Sequence, residues 1–267
     1  MSVSKPYTPV CITLSDWKQM SPKAQQAVIE STKNTASKAG FNRQKNESIE
    51  WASWSWNPVT GCLHNCQYCY ANDIANRFYP QKFEPALIPE RLSAPYNVNV
   101  PATAKKSIGL KNVFTVSMGD LFGKWVPTEW INAVLETIVE NPQWNFLMLT
   151  KNPLRLREFT FPDNAWVGTT VDKQQRVKQA EDIFSQIQAG VKFISCEPLW
   201  ERLTFTKLHL FDWVIIGGAS RSTQSKKFQP PREWVTHLEN QAYKAGCKVY
   251  EKANLLKRIK EYPGNPE

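Results

Sequence analysis

Three cysteines, Cys62, Cys66 and Cys69, lie within one eight-residue segment of the sequence and have the spacing CxxxCxxC. The surrounding stretch, TGCLHNCQYCYA, also contains one histidine and two tyrosines. Cysteine thiolates bind zinc and iron–sulfur clusters, and paired thiols form disulfides. The spacing therefore concentrates metal or redox chemistry in a single short loop.

A disulfide is the least favoured use of these thiols, because one pair would leave a cysteine over. The chain has six cysteines among 267 residues, too few for a disulfide scaffold. The N-terminus lacks the unbroken apolar core of a secretory signal, and the longest apolar runs are too short to cross a bilayer. We therefore expect a cytoplasmic protein without a membrane partner, where thiols stay reduced.

Two kinds of metal site remain open. A structural zinc ion takes four ligands, and His64, Cys196 or Cys247 would have to supply the fourth. Such sites usually come as two CxxC pairs, and the sequence has only one. Three thiolates can instead hold a [4Fe–4S] cluster by three of its irons, which leaves the fourth iron free for an exogenous ligand. That openness suits a cluster that acts on a bound molecule.

These cysteines need a scaffold, and from residue 50 onward short β-rich runs alternate with helical stretches. The predicted strands are 51–56, 112–118, 145–150, 165–171, 192–198, 213–218 and 247–252. The predicted helices lie near 71–79, 128–141, 153–158, 173–189, 231–245 and 253–261. This alternation predicts an α/β fold with a parallel sheet, as a full or partial TIM-like (β/α) barrel of about six to eight strands. A doubly wound sheet is the alternative.

The first 48 residues differ from the rest, being polar and rich in Lys, Gln, Ser and Asn. Ser21 and Pro22, followed by AQQAVIES, predict one helix there. We predict a partly helical N-terminal extension over 1–48 and a barrel domain over 49–267. A helix that covers one end of the main domain is favoured over a separate nucleic-acid-binding module.

Small or polar residues end five successive predicted strands. In a parallel barrel the carboxyl ends of the strands meet at one mouth, which holds the active site. The cysteine loop follows the first strand and so belongs to the same mouth. Ordinary turns would explain one such end, but five favour a ligand-binding mouth. The residues that it would collect are Ser117, Gly119, Asp120, Lys151, Thr169, Thr170, Cys196, Glu197, Gly217 and Gly218.

Lys and Arg outnumber Asp and Glu by 33 to 24, a formal charge of +9. A basic protein attracts polyanions and gains from counterion release, so nucleic acid is a natural partner. The loop after the sixth strand carries Arg221, Lys226, Lys227 and Arg232 on the mouth side. We expect these four residues to contact nucleic acid.

The run CLHNCQYC, with Tyr68 just before the last cysteine, resembles the signature of the radical S-adenosylmethionine (SAM) enzymes. The runs WNPVTGC, VFTVSMGDLF, ISCEPL and WVIIGGAS are similar to a narrower group over about residues 50–250. That group is the phage- and plasmid-associated family named after phage gene products 37 and 68, a domain of unknown function. Resemblance to this family does not indicate which reaction the protein catalyses.

The radical SAM resemblance implies that Cys62, Cys66 and Cys69 bind a [4Fe–4S] cluster whose open iron chelates SAM. One electron then cleaves SAM to a 5′-deoxyadenosyl radical, which takes a hydrogen from the substrate. Tyr68 would pack near the adenine. The stretch Ser117–Asp120 occupies the place of a Gly-Gly-Glu-like segment that meets the SAM amino group, with Asp120 in place of the glutamate.

The resemblance implies further SAM contacts at the other strand ends. Lys151 would pair with the SAM carboxylate, and Thr169 or Thr170 and Glu197 would bond the ribose hydroxyls. Two glycines and a cysteine complete the set. Gly217 and Gly218 would let the backbone approach the adenine, and Cys196 is a candidate hydrogen-atom donor or else a small apolar filler.

We therefore predict a radical SAM enzyme that acts on a nucleic acid or nucleotide, in modification or repair, as a DNA photoproduct lyase does. An electron donor such as flavodoxin or ferredoxin would be its redox partner. The same chemistry on a peptide or small metabolite remains an alternative. So does a non-enzymatic nucleic-acid-binding protein stabilised by zinc or a cluster.

Overall fold

The computed structural model describes residues 9–33, 39–44, 49–255 and 259–264. Its α/β fold consists of strands, α-helices and several short 3₁₀ helices. The strands are β1 (Ile12–Thr13), β2 (Asn42–Arg43), β3 (Trp54–Trp56), β4 (Val59–Thr60), β5 (Ala86–Leu87), β6 (Asn112–Thr115), β7 (Asn145–Thr150), β8 (Ala165–Thr170), β9 (Val191–Cys196), β10 (Trp213–Ile216) and β11 (Lys248–Glu251). The α-helices are α1 (Leu14–Gln19), α2 (Pro22–Lys33), α3 (Tyr70–Phe78), α4 (Ala94–Asn97), α5 (Thr128–Val139), α6 (Val177–Phe184) and α7 (Arg232–Lys244).

Eight strands form the main sheet in the order β11-β10-β9-β8-β7-β6-β3-β2, and β1-β5-β4 form a small second sheet. All neighbours in the main sheet are parallel except β2 and β3, which pair antiparallel at one edge. The seven parallel strands follow chain order, as in a barrel, and lack the reversal of order that marks a doubly wound sheet. Within the described residues the edge strands β2 and β11 do not pair, so closure into a full barrel is not detected. The partial barrel, which is the other form that the sequence predicts, stays a prediction.

Apolar side chains cover both faces of the parallel strands, as burial on both faces requires. The larger core includes Val113, Phe146 and Val214 and packs with the helices. The smaller core lies on the opposite face and is mostly aromatic; it includes Trp51, Phe114, Trp166, Phe193, Trp213 and Tyr250. Ring centroids there lie 4.6 to 6.3 Å apart. This aromatic floor sits below the strand ends and supports them.

Gly168 of β8 makes room for this floor. A Cβ at this position would lie 2.5 Å from the ring of Phe193, closer than two carbon atoms can approach. The glycine in the run WVGTTVD is therefore explained by packing.

The structure contains all seven predicted parallel strands, with somewhat shorter bounds. The predicted helix at 153–158 is a 3₁₀ turn, and the one at 173–189 is confined to Val177–Phe184 with a 3₁₀ turn before it. The helix predicted over 253–261 is wrong, because residues 253–255 form a turn and Lys260 makes an antiparallel bridge to Tyr250. Residues 256–258 lie outside the described part of the chain.

The N-terminal region contributes α1 and α2. Thr13 and Asp16 form a capping box that begins α1, and the Ser21 hydroxyl accepts a hydrogen bond from Ala24 N at 3.3 Å in α2. Trp17 packs against Trp130 of α5 with ring centroids 5.5 Å apart. Residues 1–8, 34–38 and 45–48 lie outside the described residues, and the division at residue 48 stays a prediction. None of the described helices is both long and apolar enough to cross a membrane.

Candidate metal and cofactor site

The cysteine loop is fastened to the end of β6 by two glycines. Gly61 forms a parallel bridge with Gly119, and Gly61 N donates to Met118 O at 2.9 Å. Gly61 has φ +83°, and a Cβ there would lie 2.2 Å from Glu84 O. A Cβ on Gly119 would lie 2.7 Å from Gly61 O. Both residues must be glycine for the two segments to approach this closely.

The backbone before Gly119 is strained. Val116 has φ +62°, a left-handed conformation that is rare for a β-branched residue. Its N–H donates to Trp56 O at 2.7 Å, which ties the end of β6 to β3. The turn exposes the Ser117 carbonyl to the Tyr70 hydroxyl, which donates to it at 2.8 Å. Met118 packs on Ala71 and Ala75, so the same turn also provides the surface against which α3 packs.

Cys62, Cys66 and Cys69 are free thiols, each half-buried. Burial raises the pKa of Cys62 to about 12, and the charge of Asp120 and the two neighbouring cysteines add to the shift. Burial is also the main cause that raises the pKa of Cys69. These two thiols are therefore protonated at neutral pH, and the three lie near enough to influence one another electrostatically.

Among the described residues, no set of three His, Cys, Asp or Glu side chains converges to hold a single metal ion. A zinc ion needs its sulfurs at about 2.3 Å from one point. A [4Fe–4S] cluster bonds each cysteine to a different iron, so its thiolates need not converge on one point. Three free thiols on one loop are the type of donor that a cluster uses, although the described residues do not bring them together as a metal-binding group.

Asp120 joins three segments of the site. Its carboxylate accepts hydrogen bonds from Phe122 N at 3.0 Å and from Lys151 N at 2.9 Å. His64 Nε2, from the cysteine loop, lies 2.7 Å from the same carboxylate. Asp120 is only 4% exposed, so these bonds form out of water. The expected contact of Asp120 with the SAM amino group stays a prediction, and the hydrogen bonds that both carboxylate oxygens already accept favour a structural role for this residue.

Lys151, at the end of β7, lies directly under the cysteine loop. Its Nζ lies 3.1 Å from Cys66 Sγ, 4.2 Å from the centre of the Tyr68 ring and 3.8 Å from Asp172 Oδ2, and it donates to the Tyr68 hydroxyl. This is the cation that the sequence predicted at the mouth. It lies beside the cysteines, and its side chain is 14% exposed.

Asp172 anchors the aromatic residue of the cysteine motif. The Tyr68 hydroxyl donates to Asp172 Oδ2, and Arg176 Nε lies 2.8 Å from Asp172 Oδ1 as an ion pair without hydrogen-bond alignment. Burial and then the Asp172 charge raise the pKa of Tyr68 well above its usual value, so the phenol stays protonated. Tyr68 also packs on Trp200, with ring centroids 6.0 Å apart.

The predicted residues Glu197, Gly217 and Gly218 all have partners within the fold. Glu197, after β9, forms an ion pair with Lys252, after β11. A Cβ on Gly217 would lie 3.2 Å from both side chains, so this glycine makes room for the pair. Gly218 instead exchanges two hydrogen bonds with Asn254, at 3.1 and 2.8 Å.

Thr170, Thr169 and Cys196 divide between the two faces of the sheet. Thr170 shares the face of Trp166 and the aromatic floor, because side chains alternate along a strand. Thr169 faces the other way and donates to Thr150 O at 2.9 Å. Cys196 is fully buried in the helix-side core with Ile194. It lies on the opposite face from the floor, which corrects the expectation that it faces the mouth.

The loop after β10 forms a hairpin, residues 219–228, that lies on the cysteine loop. Ala219 pairs with Phe228, Ser222 Oγ donates to Gln67 O at 2.7 Å, and Thr223 N donates to Asp73 of α3 at 2.9 Å. The hairpin therefore covers the mouth beside the cysteines.

Three of the four predicted nucleic-acid contacts, Arg221, Lys226 and Lys227, are exposed on this hairpin. Arg232 is different, because it begins α7 and its guanidinium bonds Glu251 at 2.6 Å and Glu239 at 2.7 and 2.9 Å. Both carboxylates are buried. Arg232 is thus committed to a structural ion pair, which corrects its expected role in phosphate binding.

Sequence reasoning missed His64 as a fastener and missed Asp172 and Arg176 altogether. Asp172 directly follows the predicted strand end GTTV, so the sequence was sufficient to predict that it lies at a strand end. Its pairing with Tyr68, 104 residues earlier, was not.

The profile of a family described as "Protein of unknown function (DUF5131)" matches residues 46–254. No curated protein sequence matches the chain. The family description mentions no phage gene product, so the narrower resemblance to gene products 37 and 68 stays a prediction.

Similar solved structures include spore photoproduct lyase complexed with dinucleoside spore photoproduct, at 13% identity and a TM-score of 0.46, covering 78% of this chain and 79% of that one. A single-residue variant of the lyase has 12% identity and a TM-score of 0.48, with 80% of each chain covered. A double variant with bound AdoMet and dinucleoside spore photoproduct has 12% identity and a TM-score of 0.42, with 75% and 64% covered. This likeness is too distant to assign an activity.

Proposed function

We propose that this chain, which belongs to the DUF5131 family of proteins of unknown function, is a radical SAM iron–sulfur enzyme acting on a nucleic acid or nucleotide. One observation carries the proposal. Three free thiols with CxxxCxxC spacing lie on one loop at the carboxyl ends of a parallel sheet, where α/β enzymes keep their active sites.

In this proposal Cys62, Cys66 and Cys69 hold a [4Fe–4S] cluster. When bound, the cluster would supply the electron that cleaves SAM to a 5′-deoxyadenosyl radical. His64 and Asp120 keep the cysteine loop against the sheet. They position the cysteines and do not contact the cofactor.

The remaining mouth residues would bind and shield SAM. Lys151 would attract the SAM carboxylate with its ammonium group, and Tyr68, held by Asp172, would pack against the adenine. Thr170 and Glu197 offer oxygens to the ribose hydroxyls. We retain backbone contacts to SAM at Ser117, Gly119, Gly217 and Gly218, and we do not retain Thr169 or Cys196.

A row of aromatic rings would exclude water from the reaction. Tyr68, Trp200 and Phe228 follow one another from the cysteine loop to the hairpin, with centroids 6.0 and 4.6 Å apart. A radical intermediate needs such shielding, because hydrogen-atom donors that enter from solution would quench it. The choice of a nucleic acid or nucleotide is supported by the exposed cations of the adjoining hairpin and the formal charge of +9.

The experiment is anaerobic reconstitution with iron and sulfide, followed by reduction in the presence of SAM. We expect a brown protein with four irons per chain that releases 5′-deoxyadenosine. Cys66→Ala should lose both the iron and the SAM cleavage. Cys11→Ala is the matched control, since Cys11 is also a free, half-buried cysteine but lies near β1.

A colourless protein that keeps one zinc ion per chain would refute the proposal and favour a zinc-stabilised binding protein. Iron retained equally by Cys66→Ala and Cys11→Ala would also refute it. SAM cleavage with binding that does not respond to salt would exclude nucleic acid and leave a peptide or small metabolite as substrate.

A further inference from the structure

Large apolar side chains are exposed in a cluster beside the cysteine loop. Nine such side chains are notably exposed among the described residues, and four of them fall between residues 63 and 78. They are Leu63, Tyr70, Ile74 and Phe78, of which Phe78 is the most exposed at 64%. Single exposed apolar residues are common on protein surfaces, but a group of neighbours marks an interaction site.

Three of these side chains form a line along α3. Tyr70, Ile74 and Phe78 are four residues apart, so they lie within an arc of about 80° on one side of the helix. The buried side of α3 presents Ala71 and Ala75 to Met118. Tyr70 also donates to Ser117 O through its hydroxyl at 2.8 Å, so only Ile74 and Phe78 are free of a role in holding α3 onto the protein.

The charges around this line are almost all positive. Residues 62–83 contain a single carboxylate, Asp73, and Thr223 of the hairpin binds it through both its N–H and its hydroxyl. The Arg77 guanidinium lies 5.0 Å from the centre of the Phe78 ring. The hairpin 219–228 contains no carboxylate and exposes Arg221, Lys226 and Lys227; among the described residues none of the three forms an ion pair.

The size of the apolar surface favours a narrow ligand. Large side chains bury roughly 150–250 Å² each when fully covered, so four half-exposed ones offer roughly 400 Å². A stable protein partner usually covers about 800 Å² on each side. Aromatic faces beside cations are instead the composition that binds single-stranded nucleic acid, in which bases stack on rings and phosphates meet Lys and Arg. Paired bases in a duplex cannot reach an exposed ring without being flipped out.

We propose that the exposed line of α3 and the hairpin cations form a binding surface for single-stranded or locally unpaired nucleic acid, with bases on Phe78 and phosphates on Lys226 and Lys227. The inference rests on the proposed function, because it takes the cysteine loop to be the reaction centre that the strand approaches. Thr223 joins the hairpin to α3 at Asp73, which lies about 140° around the helix from Phe78, so a strand that binds both halves would cross α3.

The test measures fluorescence anisotropy of a labelled 20-nucleotide single strand, and of the duplex of the same sequence, with the full chain. Phe78→Ala should weaken single-strand binding about 5-fold or more, because one stacked base contributes about 1–3 kcal/mol. Phe78→Trp should keep the affinity, because the ring is retained. Tyr243→Ala is the matched control, since Tyr243 is 47% exposed on α7, and it should bind as the wild type does.

A second measurement tests the cations. The double variant Lys226→Ala, Lys227→Ala should lower the slope of log affinity against log salt by about 1.4, since each phosphate contact on a single strand adds about 0.7. Lys178→Ala, an exposed lysine of α6 that pairs with Asp182, should leave the slope unchanged.

Equal affinity of the wild type and Phe78→Ala, or equal binding of duplex and single strand, would overturn the inference. The absence of any oligonucleotide binding would also overturn it and would favour an acidic protein as the partner. SAM cleavage by the wild type without oligonucleotide is measured separately. A protein that cleaves SAM but fails the Phe78 test refutes only this surface, whereas one that passes the Phe78 test without cleaving SAM refutes only the radical chemistry.

Discussion

Replacing Asp120 by alanine should release the cysteine loop from the sheet. The carboxylate of Asp120 accepts from Phe122 N and Lys151 N and contacts His64 of the cysteine loop. Alanine removes all three interactions at once. The two backbone N–H groups then lose their acceptor inside the protein, where water reaches them poorly.

The size of the effect follows from these groups. A buried donor left without a partner costs about 1–3 kcal/mol, and the space left by the carboxylate can admit a water that offsets part of this. The expected loss in the free energy of unfolding is therefore about 2–4 kcal/mol. At about 2 °C per kcal/mol for a chain of this length, Tm should fall by about 4–8 °C.

The assay is urea unfolding of reduced protein with a chelator present, so that no metal contributes. Asp120→Asn should lose about half as much as Asp120→Ala, because its remaining oxygen still accepts from Phe122 N. Asp182→Ala is the control, since the pair of Asp182 with Lys178 is exposed to solvent and contributes little to stability.

A loss below about 0.5 kcal/mol for Asp120→Ala would refute this reasoning. It would mean that the carboxylate does not fasten the loop, and it would restore Asp120 as a partner for the SAM amino group.

Two further predictions concern the core and the C-terminal half. Gly168→Ala should lower the free energy of unfolding by about 1–3 kcal/mol, because its Cβ would clash with the Phe193 ring. Thermal unfolding measures the loss, and the double variant Gly168→Ala, Phe193→Leu should recover part of it. An unchanged Tm for Gly168→Ala would contradict the prediction. Burial, helped by Glu239, raises the pKa of Glu251 from 4.5 to about 7, although Arg232 opposes the shift. The folded protein then keeps a proton that the unfolded chain loses, so the free energy of unfolding should fall as pH rises from about 4.5 to about 7. Glu251→Gln should remove this pH dependence, and parallel stability curves for the two proteins would contradict the assignment.

The sequence predicted the sheet because the pattern that encodes it is local. Runs such as NFLMLT and WVII are apolar on both faces and lead into small or polar residues, which is typical of parallel strands. The cysteine spacing and the position of Lys151 after a predicted strand are likewise visible in the local sequence. The line of Tyr70, Ile74 and Phe78 could also have been found, since its spacing is visible in the sequence.

Long-range partners account for the errors. The sequence also could not show why residue 119 is glycine, because the atom that a Cβ there would meet, Gly61 O at 2.7 Å, is brought near only by folding. Arg232 was assigned to phosphate because Glu251, 19 residues later, could not be placed beside it. The last predicted helix failed because residues 259–261 bond to β11 instead, through Ile259 O and Lys260.

The contact between the hairpin and the cysteine loop joins two segments that lie near opposite edges of the open sheet. The strands β2 and β11 are separate edges, yet Ser222 bonds Gln67 and Thr223 bonds Asp73 across 155 and 150 residues of sequence. Here a few hydrogen bonds, each worth about 1 kcal/mol, join the hairpin to the cysteine loop and α3. Glu50, which precedes β3, adds a second link, because its carboxylate accepts from Ala253 N, which follows β11, at 2.8 and 2.9 Å. Side-chain hydrogen bonds, and not strand pairing, therefore join the two edges of the sheet within the described residues.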